Sequence, residues 1–246
     1  MNPRILASTI RRILSQLRHD RRTIALMVAV PVLLLTILYF MYKDSPGNVF
    51  DRIGLIMLGV FPFVIMFLVT SIAMLRERTT GTLERLLTTP MHKADLLFAY
   101  GIAFGIAAAI QAAIASAVAY WLFDLDTAGT KGLVIAIAIA NAVLGVALGL
   151  FCSAFARTEF QAVQFMPVVV VPQILLCGLF VPRELMAGWL QAISKALPMT
   201  YAVEGLQEVG AHAEPTDLLW RDFGIVAGCV VVALTLAAAT LRRRSP

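Results

Sequence analysis

Six apolar runs, each long enough to cross a bilayer, constrain this chain more than any other feature of its sequence. A helix rising 1.5 Å per residue needs about 20 mainly apolar residues to span the hydrocarbon core. Runs of that kind occupy residues 23–42, 53–75, 96–123, 132–156, 160–181 and 223–241. The third exceeds the required length and is expected to tilt or to project into water. Composition agrees: of 246 residues, 60% are hydrophobic and 14% charged, and the mean hydropathy is +0.85. A soluble domain carries about a quarter charged residues, and too little polar sequence remains here for a separate aqueous domain. The expected fold is therefore an all-α polytopic membrane protein with six transmembrane helices. Residues 23–246 form the membrane domain and residues 1–22 precede it.

The basic, then apolar start imitates a signal peptide. No small-x-small cleavage site follows it, and the run ends in Tyr39-Phe40-Met41-Tyr42, so it is expected to persist as a helix. Lys and Arg set the orientation. With six spans, 14 of the 20 basic residues fall on the side of the two termini and 6 on the other. Both termini are expected in the cytoplasm of a bacterial cell, with the chain in the plasma (inner) membrane. The net charge of +5 then meets anionic lipid headgroups, and no nucleic-acid partner is needed to explain it.

Two stretches do not read as spans. In residues 3–18, Ile5, Leu6, Ile10, Ile13, Leu14 and Leu17 recur at helical spacing between Arg4, Arg11, Arg12 and Arg18. This pattern suits an amphipathic helix lying in the cytoplasmic interface; a disordered basic leader is the plainer alternative. Residues 182–221 are too apolar for a free loop, yet Arg183, Glu184, Lys195, Pro198 and Glu204 interrupt them too often for a span. Short re-entrant or outer helices packed on the bundle are expected, because irregular backbone at membrane depth needs a protein or water-filled surround. Trp189 and Tyr201 suit headgroup depth.

Catalytic and metal chemistry find no footing. Cys152, Cys177 and Cys229 lie singly in apolar runs without CxxC or Cys/His spacing, and His19, His92 and His212 lie outside those runs. The cysteines read as packing residues. An intramembrane enzyme would need a Ser/His, Asp/Asp or HExxH set in the membrane, and none is visible. No G-x-x-x-x-G-K-[ST] stretch is present either, so ATP and magnesium, if used, belong to another polypeptide. No span holds a clear midplane Asp, Glu, Lys or Arg, which argues against an ion-coupled secondary transporter or channel.

The loop after the second run carries more information than a passive connection requires. Arg76-Glu77-Arg78-Thr79-Thr80-Gly81-Thr82-Leu83-Glu84-Arg85-Leu86-Leu87-Thr88-Thr89-Pro90 contains a threonine N-cap, leucines on one side and a stopping proline. A short charged helix with an apolar edge needs something to pack against; a solvated cap on the bundle is the bland alternative. From Glu77 to Pro90 the sequence resembles the segment after the second helix in membrane subunits of ABC-2 type exporters. Gly178-Leu179-Phe180-Val181-Pro182-Arg183-Glu184, continuing through Leu197-Pro198-Met199-Thr200-Tyr201 to Leu206, resembles the segment between their helices five and six.

The resemblance implies that the first loop is a coupling helix, with Glu77, Gly81, Thr82, Glu84 and Arg85 at or beside a cytoplasmic ATPase subunit. It further implies two ATPase copies, a second copy of this permease or a related one, and a path lined by helices two and five. Phe61, Phe67, Gln164, Phe165 and Gln173 are the candidate pathway residues; interhelical hydrogen bonding is the competing role for both glutamines. Phe180, Pro182, Pro198 and Tyr201 are the candidate outer gate. The cargo implied is an amphipathic drug, antibiotic or lipid, with polysaccharide or lipid-linked glycan as the alternative within the family. Small residues four apart on helix three (Gly101, Gly105, Ala109), helix four (Gly145, Gly149) and helix six (Gly224, Gly228) are expected to let helices approach closely.

Overall fold

The computed structural model describes residues 3–80 and 93–240. Nine helices run through those residues, and no strand occurs among them. They are α1 (Pro3–His19), α2 (Arg21–Tyr42), α3 (Val49–Thr79), α4 (Lys93–Leu122), α5 (Lys131–Ser153), α6 (Glu159–Leu176), α7 (Gly188–Ala196), α8 (Pro198–Ala211) and α9 (Asp217–Thr240). Six of them, α2 to α6 and α9, are long and apolar enough to cross a membrane. The fold is thus the expected six-span bundle with additional short helices.

The chain turns from α1 into α2 at one residue. Asp20 accepts from the Thr23 backbone N–H through Oδ1 (3.1 Å) and from the Thr23 hydroxyl through Oδ2 (2.6 Å), an N-cap that satisfies donors the first turn cannot. These hydrogen bonds hold the Asp20 carboxyl below its ordinary pKa. The cap starts α2 at Arg21, two residues before the apolar run. The apolar stripe of α1 packs inward: Ile13 is buried, and Leu6, Ile10, Leu14 and Leu17 lie against α3, α4 and α5 residues. This stripe therefore covers the bundle itself.

At the centre, α3 lies directly on α5. A Cβ on Gly145 would collide with the Phe63 carbonyl oxygen, and one on Gly149 would come within 2.6 Å of that of Phe67. The glycine pair is thus what allows backbone to meet backbone. Asn141 adds a buried hydrogen bond from Nδ2 to the Gly59 carbonyl at 3.0 Å. Of the other ridges, Gly101 meets only the Leu234 side chain, and Gly224 and Gly228 have nothing within 4 Å. α9 packs on α5 by another face, so its glycine ridge meets no partner among the described residues.

Helix α6 is broken. Its middle, Met166–Val170, forms a π turn, as Pro167 and Pro172 remove two ladder donors and crowd the preceding turns. It ends at Leu176, earlier than the expected 181, and Gly178 follows at φ +92°, a conformation glycine adopts without penalty. A single 3-10 turn, Arg183–Leu185, leads to α7. The Ser194 hydroxyl donates to the Leu176 carbonyl (2.8 Å) and Thr200 to the Ser194 carbonyl (2.9 Å), tying α7 and α8 to the end of α6. α8 is no surface helix: Met199, Ala202, Val203 and Leu206 are fully enclosed in the core shared with α3 and α5. The last span begins at Asp217 and not near Phe223, because the Thr216 hydroxyl caps it by accepting from the Leu219 N–H at 3.2 Å.

Candidate functional site

Polar side chains gather at the two ends of the bundle. At the end that holds α1, the last turn of α3 is held from four directions, the Tyr100 hydroxyl of α4 against Glu77 among them. Arg12 of α1 lies 3.7 Å from Glu77 and donates to the Tyr100 hydroxyl of α4 at 3.3 Å. Arg76 grips Glu159 of α6 with two hydrogen bonds, Nε to Oε1 at 2.7 Å and Nη2 to Oε2 at 3.2 Å. Arg78 donates to the Ser153 carbonyl at the end of α5, satisfying an acceptor that a helix C-terminus leaves open. One turn thus touches α1, α4, α5 and α6, immediately before residue 81.

Of the five expected coupling residues, Glu77 is in this cluster, with its side chain 13% exposed. Gly81, Thr82, Glu84 and Arg85 lie outside the described residues. Sequence reading missed Arg12, Tyr100 and Glu159 as partners of this turn, since their separations of 65, 23 and 83 residues leave no local signal.

At the opposite end, Arg183 pairs with Glu204 at 2.8 Å, and Arg221 reaches both Glu204 (3.6 Å) and Asp222 (2.7 Å). The network joins the turn after α6 to α8 and α9. Asp222 is fully buried and was not singled out in the sequence. The candidate gate residues stand around this network. Phe180 and Pro182 are exposed, Pro198 opens α8, and the Tyr201 hydroxyl donates to the Lys195 carbonyl at 2.7 Å.

The candidate pathway residues do not form one wall. Gln164 is exposed, and Phe61 and Phe165 are half-buried against the core. Phe67, by contrast, is completely enclosed within the chain, because its turn of α3 is the one that Gly149 covers. Gln173 is buried too: its Nε2 donates to the Val169 carbonyl (3.0 Å) and its Oε1 accepts from the Met199 N–H (3.3 Å). It bridges the broken helix to α8, the interhelical role rather than a free contact to cargo. Among the described residues no group of three or more His, Cys, Asp or Glu could hold a metal.

Six apolar helices stapled at both ends by polar clusters define an integral membrane protein. Residues 3–209 match the family model described as ABC-2 type transporter, and the chain belongs to that family. It is 26% identical over 179 residues to the "Probable multidrug ABC transporter permease YbhR" of Escherichia coli, covering 73% of this chain and 49% of that protein. Over 146 residues it is 26% identical to the "Linearmycin resistance permease protein LnrN" of Bacillus subtilis, covering 59% and 38%. It is also 22% identical over 208 residues to "ABC transporter G family member 20" of Dictyostelium discoideum, covering 82% and 28%. The chain thus matches half or less of the length of each of these relatives.

Proposed function

We propose that this chain is the membrane-spanning permease subunit of an ATP-driven exporter that moves an amphipathic compound, such as a drug, antibiotic or lipid, out of the cytoplasm or the inner leaflet. ATP and magnesium would be held by a partner ATPase present in two copies, and a second permease, identical or related, would complete the path. The end bearing Arg12, Arg76 and Arg78 faces the cytoplasm, as the lysine and arginine bias requires, in a bacterial plasma membrane. Relatives named as multidrug and linearmycin-resistance permeases support a drug-like cargo and a role in antibiotic resistance.

The observation that carries this reading is the four-way grip on the last turn of α3. A force delivered by an ATPase to the last turn of α3 would reach α1, α4, α5 and α6 together. Charge-assisted pairs of this geometry resist separation better than neutral hydrogen bonds. Helix α6, with its π turn and two prolines, is the element built to change shape in response.

Copurification tests the partnership: tagged chain is expected to bring down an ATPase, and transport to stop without ATP. Glu84→Arg is expected to leave membrane insertion intact and to uncouple ATP hydrolysis from export. Transport by this variant at the wild-type rate would overturn the coupling role.

A further inference from the structure

The side of the bundle that carries α1 contains a cleft of about 570 Å³ between α1, α2, α3 and α4. It runs along α3 from Ile65 to Glu77, twelve residues or about 18 Å of helix. Its polarity changes along that length. Val30, Ile65 and Phe104 line the deep end, whereas Asp20, Arg76 and Glu77 line the end beside the α1–α2 corner. A volume of several hundred Å³ with an apolar floor and a few polar groups at one end has the dimensions of a small-molecule site.

The charge at the polar end is unbalanced. Arg76 is already committed to Glu159, which does not line the cleft, through two hydrogen bonds. Asp20 takes two hydrogen bonds from Thr23, leaving its carboxylate charged and with lone pairs to spare. Glu77 has Arg12 behind it at 3.7 Å and the Tyr100 hydroxyl beside it, and of its two oxygens Oε2 is buried without a hydrogen-bond partner among the described residues. A buried carboxylate oxygen left unmatched is costly, and a cationic group in the cleft would satisfy it. An anionic head would instead meet two carboxylates and a single lining guanidinium, that of Arg76, whose charge Glu159 and Asp20 already balance.

We propose that this cleft binds a cationic amphiphile, its charged head between Asp20 and Glu77 and its apolar body against Val30, Ile65, Leu68 and Phe104. The proposal rests on the export reading for its sense, since such a compound is then cargo collected from the cytoplasmic leaflet. The cleft's axis suits that source: the carboxylates lie at the end where headgroups are and the apolar floor reaches toward the hydrocarbon.

The test uses the full chain in lipid nanodiscs and two probes of matched shape and opposite charge, radiolabelled tetraphenylphosphonium and tetraphenylborate. Saturable binding above that of empty discs is expected for the cation alone. Asp20→Asn keeps a competent N-cap and is expected to weaken cation binding about tenfold, the loss of one facing negative charge. Val30→Trp, which fills the deep end, is expected to abolish it while the protein elutes as wild type on size exclusion. Equal saturable binding of the anion, or cation binding untouched by both variants, would overturn the proposal. The export reading fails separately. Cation binding weakened by Asp20→Asn and abolished by Val30→Trp, with no ATP-driven uptake by inside-out vesicles containing the ATPase, would support the cleft and strike the export reading. ATP-driven uptake of the cation that both variants leave unchanged would overturn the cleft and leave the export reading standing.

Discussion

Helices α5 and α6 are neighbours in sequence and opposites in construction. Most of α5 is buried, its glycines seat on α3 carbonyls, and its one buried amide finds a backbone acceptor. Little of α6 is buried; it holds two prolines and a π turn, and side-chain hydrogen bonds tie its two ends to the bundle, Glu159 at one and Gln173 at the other. The difference teaches how a membrane protein divides labour without a hydrophobic driving force between helices. Close packing of small residues makes one pair rigid, whereas bulky, broken sequence makes another adjustable.

Substitutions at the two kinds of helix should separate them. Gly145→Leu puts a side chain where the Phe63 carbonyl stands; a loss of more than about 3 kcal/mol is expected, enough to prevent a stable fold. Thermal unfolding in detergent and membrane yield would read it. Gly228→Leu, a change of the same size where nothing lies within 4 Å, is expected to cost less than about 0.5 kcal/mol. Equal losses at both positions would remove the claim that the α3–α5 seam is special.

A smaller effect is expected at the buried amide. Asn141→Leu forfeits the hydrogen bond to the Gly59 carbonyl and should cost about 1 kcal/mol. Gln164→Leu, on the exposed face of α6, should leave the unfolding temperature unchanged. Smallest in stability is Pro167→Ala, which returns a donor to the π turn of α6. The unfolding temperature is expected to hold or rise slightly, while ATP-driven transport falls because a straighter helix yields less readily. Wild-type transport by this variant would show that the break is incidental to movement.

The contrast was only half legible beforehand. Gly145 and Gly149 declared themselves by spacing, so a tight helix could be expected. The same spacing on α9, at Gly224 and Gly228, meets open space, because a ridge says that approach is permitted and not that a partner stands there. Phe67 was read as a pathway candidate on the ground that helices two and five line it, and Gln173 likewise, with interhelical hydrogen bonding as its competing role. Their burial follows from α8 and α5 covering those faces, a matter of packing between segments far apart in the chain.

Six spans and the presence of short helices between the fifth and the last follow from the sequence by itself, because apolar length, proline and glycine act locally. The side chains that join these pieces did not. Arg12 with Glu77, Arg76 with Glu159 and Arg183 with Glu204 and Arg221 pair across long stretches of chain, and any of these charges could have faced water instead. Only the tertiary structure decides that, since a charge's partner is set by which helices pack together and not by the residues beside it.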